Sequence, residues 1–294
     1  MNAIGIDLGG TNVKAVLITR QGELLAKEIV PIRNSDWREA VHEAFTKIKA
    51  MNAPVFCIGL AAPGLPDDQN QQINYMPGRL DGLEEFNWSD FLKHKVHVLN
   101  DAHAALLAEV NFGISKGLKN VVMLTLGTGV GGAILINGQL YQGVNQRAGS
   151  IGDMSLNAES SEIGFLKVPG TLEDAMGNES IPRRSNHRFK TTRELVEAYS
   201  NGDLFAKEVW LHSIKKLAVA LCSLINILAP QQIVVGGGIA QSNKQLFKPL
   251  AEFMNEFEWR PDGKATPVVK AQFDDFAGAI GAACFAFDRD VKMI

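Results

Sequence analysis

Glycines cluster where predicted strands end, and this placement constrains the fold more than any other feature of the sequence. The turn Gly9-Gly10 separates two apolar runs, Ile4–Ile6 and Val13–Ile18. The longer turn Gly127–Gly132 separates a second pair of apolar runs. Short apolar runs joined by a glycine-rich turn are typical of β-hairpins. One hairpin near the start of each half of the chain predicts two related subdomains.

Helical patterns alternate with these strands along the rest of the chain, and this alternation predicts an α/β protein. Three further apolar runs, each followed by a turn or a polar pair, read as buried strands: Val55–Leu60, Val96–Leu99 and Ile233–Val235. Helical spacing of apolar residues predicts these helices: Trp37–Met51, Ala102–Val110, Thr191–Tyr199, Phe205–Leu228 and Ala277–Phe287.

The charge balance argues against binding to nucleic acids and to membranes. The chain has 29 Lys and Arg against 32 Asp and Glu, a formal net charge of -3, without the basic excess that either partner requires. The longest uncharged stretch, Leu217–Asn243, contains Pro230 and three glycines, so we expect a core helix followed by a core strand. Asp7 interrupts the first apolar run, and we therefore expect no signal peptide. The three cysteines are widely separated, which favours a reducing cytoplasm.

The glycine turns are candidate phosphate sites. Residues Gly127–Gly132 match G-x-G-x-x-G, but a strand pattern follows where the dinucleotide-binding fingerprint requires a helix. The sequence also lacks a Walker G-x-x-x-x-G-K-[ST] motif. A glycine hairpin still offers backbone N–H groups to phosphate, and Thr128 adds a hydroxyl donor. The alternative is a tight turn that binds no ligand.

Acidic and amide side chains follow two of the predicted strands. Asp7 ends the first strand, where its carboxylate is suited to hold Mg²⁺ directly or through water, or to form the turn. Asn100 and Asp101 lie between a strand and a helix. They are candidates for a helix N-cap, or for a general base (Asp101) with a partner that orients an alcohol (Asn100).

The ordered set of motifs resembles the ROK family of repressors, open reading frames and kinases. The matching segments run through nearly the whole chain: Asp7-Leu8-Gly9-Gly10-Thr11, Ala62-Pro63-Gly64, Asn100-Asp101, Leu126–Gly132, Tyr141-Gln142-Gly143 and Gly236-Gly237-Gly238. The resemblance implies an α/β, two-domain, actin- and hexokinase-like (ribonuclease H-like) ATPase fold with a ligand cleft between the domains. It implies a smaller domain of residues 1–110 with 277–294 and a larger one of residues 111–276.

The resemblance also implies site residues. Residues expected to bind the phosphates of ATP are Asp7, Gly9, Gly10, Thr11, Thr128 and Gly129. Gly237 and Gly238 are expected near the adenosine, and Gly64, Asn100 and Asp101 at the sugar, with Asp101 as the base. Family analogy further implies a homodimer. The family's repressors carry a DNA-binding segment ahead of the first hairpin, and only three residues precede Ile4, so we expect no DNA binding.

The segment that usually carries zinc and sugar ligands departs from the family pattern. The family's G-E-x-G-H reads Gly149-Ser150-Ile151-Gly152-Asp153, and its three zinc cysteines are absent from residues 159–169. Ser150 thus replaces a sugar-contacting glutamate, while Asp153 is a candidate sugar ligand or a loop cap. The family's second sugar-contacting glutamate is retained as Glu173, which is a candidate sugar ligand or a helix-start carboxylate. The nearby Arg183, Arg184 and Arg188 form either a solvated face or a contact to an anion.

The sequence as a whole predicts an ATP- and Mg²⁺-dependent kinase that phosphorylates a hydroxyl of a hexose or hexose derivative. The altered Ser150 and Asp153 keep a second interpretation open, a non-catalytic sugar or nucleotide sensor with the same fold.

We predict that the purified protein contains no stoichiometric zinc, because no thiolate or imidazole remains in the loop to ligate it. Elemental analysis of the protein, purified without added metal or chelator, measures this directly. One zinc per chain would contradict the prediction.

Overall fold

The computed structural model describes residues 1–34, 36–51, 53–76, 78, 80–160 and 167–291. The chain forms two compact units. The first contains Met1–Leu118, Ile134–Gly149 and Gln272–Ile294, and the second contains Lys119–Ala133 and Ser150–Ala271. These units have other bounds than the predicted domains, chiefly because Ile134–Gly149 groups with the first unit.

The described elements follow one another along the chain as strands and helices. The strands are β1 (Asn2–Leu8), β2 (Asn12–Thr19), β3 (Leu24–Pro31), β4 (Val55–Ala62), β5 (Leu65–Pro66), β6 (Ile73–Tyr75), β7 (Val96–Asn100), β8 (Val121–Leu126), β9 (Val130–Ile136), β10 (Gln139–Leu140), β11 (Gln232–Gly236) and β12 (Val268–Lys270). The helices are α1 (Trp37–Lys49), α2 (Trp88–Leu92), α3 (Asp101–Asn111), α4 (Leu172–Met176), α5 (Ile181–Arg184), α6 (Thr192–Ser200), α7 (Leu204–Leu228), α8 (Lys244–Phe257) and α9 (Ala277–Val291).

The first unit is built on a five-stranded sheet in the order β3-β2-β1-β4-β7. The first predicted hairpin is confirmed, because β1 pairs antiparallel with β2 up to Leu8 opposite Val13. Strands β1, β4 and β7 are parallel. Helix α1 begins at the N-cap Asp36 and buries one face, with Val41, Phe45 and Ile48, in the core of this unit.

Helix α9 lies unusually close to the sheet and to α3, since three glycines leave room for its backbone. A Cβ on Gly5 of β1 would lie 1.8 Å from the carbonyl oxygen of Ala279, and one on Gly59 of β4 would lie 1.9 Å from that of Ala282. A Cβ on Gly281 would lie 1.6 Å from the Ala104 carbonyl oxygen of α3. These separations are far below van der Waals contact, so larger residues at these positions cannot be accommodated without backbone movement.

The second sheet has the order β10-β9-β8-β11-β12. Strands β8 and β11 run parallel and are buried along their length. The long helix α7 buries Trp210, Ile214 and Leu217 in the core of the second unit.

Among the described residues, α7 is the one helix with the length and apolar composition to cross a membrane, but half of its most apolar stretch is buried inside the protein. The helix and the strand β11 that follows it confirm the prediction of a core helix and a core strand for Leu217–Asn243.

Among the described elements of eight or more residues, one strand and one helix were not anticipated from the sequence. Strand β3 extends the first hairpin, although Lys27 and Glu28 interrupt its apolar pattern. Helix α8 contains Pro249, a residue that usually ends helices, yet Pro249 and Leu250 are buried. The stretch 143–185, expected to be irregular, contains the short helices α4 and α5.

We predict that Gly281→Ala lowers the free energy of unfolding by about 3 kcal/mol or more, because the new methyl group would overlap the Ala104 carbonyl. Urea unfolding followed by circular dichroism measures the change. Gly10→Ala is the matched control, since a Cβ at Gly10 would meet no atom within 4 Å, and its stability is expected to stay within about 0.5 kcal/mol of wild type. Equal stabilities for the two variants would refute the close-packing account.

Candidate active site

The carboxyl ends of three parallel strands bring four predicted site residues together in the first unit. Asp7 near the end of β1 lies opposite Ala61 of β4, and Ala62 lies opposite Asn100 at the end of β7. Gly64 follows β4, and Asp101 begins α3. Ends of adjacent parallel strands meet at one edge of a sheet, the usual place for ligands in α/β proteins.

Asp7 lies against the first turn of α9. A Cβ on Gly278 would lie 2.5 Å from the Asp7 carboxyl carbon, so only glycine leaves room for this side chain. Burial and, next, the negative charge of Asp101 raise the pKa of Asp7 from 3.8 to about 7. The charge of Lys14 opposes this shift. Two carboxylates at one edge repel each other, an arrangement that a cation would relieve.

Asn100 caps helix α3, as its N-cap alternative predicted. Its Oδ1 accepts hydrogen bonds from the backbone N–H groups of Ala102 and His103, at 3.0 and 3.2 Å. Its Nδ2 donates to the Gly64 carbonyl oxygen at 3.0 Å. Asn100 therefore joins the start of α3 to the loop after β4.

Asp101, the first residue of α3, is exposed. Its Oδ1 accepts from the backbone N–H of Ala102 at 2.8 Å. The start of α3 therefore holds the Asp101 carboxylate in place while it stays open to solvent.

The helix start is tied to a second loop through His103. This side chain is buried, and its Nε2 is 3.0 Å from the carbonyl oxygen of Ala148, to which it donates in the neutral tautomer. Burial lowers the pKa of His103 from 6.5 to about 4, whereas the Ala148 hydrogen bond acts in the opposite direction. The geometry gives His103 a structural role.

The first glycine turn leaves donors unused. Gly9 donates its N–H to the Asn12 carbonyl at 3.1 Å, and the Thr11 carbonyl accepts from Ile32 at 2.9 Å. The N–H groups of Gly10 and Thr11 are exposed and donate to no group in the described part of the chain. Such N–H groups are the usual ligands of phosphate oxygens.

The second glycine turn is held by its carbonyl groups. The Gly127 carbonyl accepts from Asn178 at 2.9 Å and the Thr128 carbonyl accepts from Glu179 at 3.1 Å. Within the turn, Gly127 donates to the Gly129 carbonyl at 2.9 Å. The backbone N–H groups of Thr128 and Gly129 donate to no group in residues 1–34, 36–51, 53–76, 78, 80–160 and 167–291. The carbonyl oxygens are thus occupied while two donors stay available.

The triple glycine lies beside this turn. Gly236 at the end of β11 pairs with Thr125 of β8. Gly237 has a left-handed φ of 85°, and a Cβ there would lie 2.4 Å from the Leu126 carbonyl oxygen. A Cβ on Gly238 would meet no atom within 4 Å, so Gly238 faces open space.

The second unit also brings Glu173 and Asp153 close to the glycine turn. Glu173 is the second residue of α4, and its Oε2 accepts from the backbone N–H of Val130 at 2.9 Å. Leu172 donates its N–H to the Met154 carbonyl at 3.0 Å, which joins α4 to the segment that carries Asp153. Asp153 is partly exposed and ends a short 3-10 turn, with Ser150 exposed at its start.

The three arginines are held within the second unit. Arg183 pairs with Asp174 at 2.8 Å, Arg184 donates to Ser180 at 2.9 Å, and Arg188 pairs with Asp203. These ion pairs and hydrogen bonds argue against a purely solvated face, and they give no support to an anion site.

No group of three or more His, Cys, Asp or Glu side chains in the described residues is placed to hold a metal ion. Part of the loop that carries zinc ligands in the family, residues 161–166, lies outside the described residues. The absence of zinc therefore remains a prediction from the sequence.

Two positioning contacts were missed by the sequence analysis. Gly278 leaves room for the Asp7 carboxylate, and the backbone N–H of Val130 donates a hydrogen bond to Glu173. The run of small residues at the start of α9 was the available signal for the first contact. The second joins residues 43 positions apart, and no local pattern marks it.

The chain matches known proteins over nearly its whole length. A model of the ROK family matches residues 3–289. A glucokinase of Halalkalibacterium halodurans is 28% identical, over 99% of this chain and 96% of that protein. The structure of a ROK hexokinase from Thermus thermophilus covers 100% of both chains with a TM-score of 0.84 and 26% identity. An N-acetylglucosamine repressor of Escherichia coli is 26% identical, over 96% of this chain and 74% of that protein. The predicted actin- and hexokinase-like α/β fold is confirmed.

We predict that protonation of His103 lowers the free energy of unfolding at acidic pH. Its pKa is lower in the folded than in the unfolded chain, so the stability linked to it is complete above pH 6.5 and is lost progressively as the pH falls from 6.5 to about 4. The shift corresponds to about 3 kcal/mol. His103→Gln retains a donor for the Ala148 carbonyl and removes the titration, so the loss of stability between pH 7 and pH 4.5 is expected to be smaller.

Urea unfolding at both pH values measures this effect. The exposed His42→Gln is the matched control and is expected to keep the wild-type pH dependence. An unchanged pH dependence in His103→Gln would show that His103 is not responsible.

Proposed function

Because the chain belongs to the ROK family, we propose that it is a sugar kinase that transfers the γ-phosphate of ATP to a hydroxyl of a hexose or hexose derivative, with Asp101 as general base. The observation that carries this proposal is the meeting of Asp7, Gly64, Asn100 and Asp101 at one sheet edge. The glucokinase relative and the ROK hexokinase structure support the same class of reaction.

On the sugar side, we assign the acceptor hydroxyl to Asp101. Its carboxylate is exposed and held at the start of α3, so it is placed to accept the proton that the attacking hydroxyl releases. Asn100 holds Gly64 through one amide hydrogen, and we assign its second amide hydrogen to another hydroxyl of the sugar. Asp153 and Glu173 are the proposed sugar contacts of the second unit.

On the nucleotide side, we assign the phosphates to the two glycine turns. The unused N–H groups of Gly10 and Thr11 in one turn, and of Thr128 and Gly129 in the other, supply donors without charge. Asp7 and Gly9 complete the first turn. We assign the adenosine to Gly237 and Gly238, of which Gly238 faces open space. These donors stabilise the negative charge that spreads over the phosphoryl oxygens during transfer.

Asp7 is the residue proposed to hold Mg²⁺, directly or through water. The fit rests on the two carboxylates, Asp7 and Asp101, that meet at one sheet edge. Burial and, next, the charge of Asp101 raise the pKa of Asp7, and a divalent cation would relieve the repulsion between the two groups. A single carboxylate suits Mg²⁺, because this ion keeps most of its water and binds substrate phosphates. When bound, the ion neutralises phosphate charge.

We propose that the protein works in the cytoplasm as a homodimer. All three cysteines are buried and free, which suits a reducing compartment. The homodimer rests on family analogy alone, and sedimentation velocity at micromolar concentration tests it.

The activity is tested by ADP release from ATP and Mg²⁺ with a panel of hexoses, N-acetylhexosamines and glycosides. At least one sugar is expected to stimulate release. Asp101→Asn is expected to lower kcat for that sugar about 10²- to 10⁴-fold, because the amide cannot take the hydroxyl proton. The exposed Asp262→Asn, a matched substitution in a turn of the second unit, is expected to keep wild-type kcat.

Two outcomes would contradict the proposal: no sugar stimulates ADP release, or Asp101→Asn keeps full activity. Binding of a sugar without ADP release would favour the sensor, the alternative that the resemblance to a repressor supports. Isothermal titration of the same panel separates binding from turnover.

A further inference from the structure

We propose that Glu173 is a positioning residue for the phosphate-binding glycine turn: its carboxylate fixes the backbone of Val130, and nucleotide affinity depends on this contact. The inference rests on the proposed function, since it takes the turn Gly127–Val130 to be the phosphate-binding loop. It gives Glu173 a task beyond the sugar contact that the family resemblance implies.

The contact between Glu173 and Val130 has the geometry of a strong hydrogen bond. Glu173 Oε2 is 2.9 Å from the Val130 nitrogen, the distance of a good charge-assisted hydrogen bond. A Cβ on Gly129 would lie 2.1 Å from the same oxygen. The carboxylate therefore fills the space directly beside the turn, and Gly129 is required to leave it there.

Helix α4, which carries Glu173, is capped at its start and packed into the core of the second unit. Thr171 caps the helix by accepting from Asp174 at 3.1 Å. Leu172 and Met176 are buried in the core of the second unit. A side chain on the first turn of a packed helix loses little further freedom when it makes a hydrogen bond, so the contact holds the turn efficiently.

Different residues hold the carbonyl groups and the N–H groups of the turn. Asn178 and Glu179 hold the carbonyls of Gly127 and Thr128, and Glu173 holds the N–H of Val130. The donors left over are those of Thr128 and Gly129, between the fixed points. Glu173 thus helps to keep these two N–H groups on one side of the turn, which lowers the cost of ordering them around a phosphate.

Electrostatics supports positioning over direct phosphate binding. A carboxylate beside a phosphate loop repels the ligand, so Glu173 cannot gain affinity through its own charge. Its contribution must come from the hydrogen bond to Val130. Glutamine keeps a side-chain oxygen acceptor for that N–H and removes the charge, whereas alanine removes both.

The test compares Glu173→Ala and Glu173→Gln by isothermal titration with MgADP in the absence of sugar. We expect Glu173→Ala to weaken MgADP binding about tenfold and Glu173→Gln to stay within about threefold of wild type. In steady-state assays with the most active sugar of the panel, the KM for ATP is expected to rise in Glu173→Ala and to stay within about threefold of wild type in Glu173→Gln. Unchanged MgADP affinity in Glu173→Ala would overturn the inference, as would equal losses in both variants.

A second measurement needs no activity and covers the case in which Glu173→Ala is unstable. Gly129→Ala is expected to displace the carboxylate and to weaken MgADP binding, and the double variant with Glu173→Ala is expected to bind no more weakly than Glu173→Ala alone. Hydrogen exchange of the unliganded protein is expected to show a faster Val130 amide in both single variants. Additive losses, or an unchanged Val130 amide, would contradict the inference.

The two proposals fail separately. If no sugar stimulates ADP release but the exchange and MgADP results hold, the kinase proposal is wrong and the positioning role stands. If ADP release depends on Asp101, but substitution of Glu173 changes neither the exchange rate of the Val130 amide nor the affinity for MgADP, the positioning role alone is wrong.

Discussion

The close contact between helix α9 and the sheet of the first unit is the constraint on which the site depends. Gly5 and Gly59 let the α9 backbone approach β1 and β4, and Gly281 lets it approach α3. The same approach puts the first turn of α9 beside Asp7. Since α3 begins with Asp101, the packing of α9 on α3 and on the sheet also places the two carboxylates at one edge.

This placement has an electrostatic cost, which a bound cation would lower. Burial and the charge of Asp101 raise the pKa of Asp7 to about 7, so the unliganded protein holds the Asp7 proton near neutral pH. A site that is unfavourable when empty is typical of functional sites, where strain and charge are retained for binding. At the glycine turn of the second unit, hydrogen bonds from Asn178 and Glu179 and the hydrogen bond of Val130 to Glu173 fix the backbone.

Local patterns in the sequence predicted much of the fold, and long-range contacts account for what they missed. The glycine turns at Gly9 and Gly127 mark both hairpins, because turn chemistry is local. Strand β3 and helix α8 were missed, since tertiary packing overrides the charges of β3 and the proline of α8. At the site, Asp7 and Asp101 are visible from their strand ends. The contacts of Glu173 with Val130 and of Asp7 with Gly278 join distant positions, and only the folded backbone reveals them.

The measurement that tests the central claim most directly is the titration of the Asp7 carboxyl group by ¹³C NMR in the magnesium-free, unliganded protein. The account predicts a midpoint near pH 7 in wild type and a lower midpoint in Asp101→Asn, because the charge of Asp101, the largest cause of the shift after burial, has been removed. A midpoint near 4 in both proteins would show that the Asp7 carboxyl group is neither buried nor close to the charge of Asp101, and it would contradict the account.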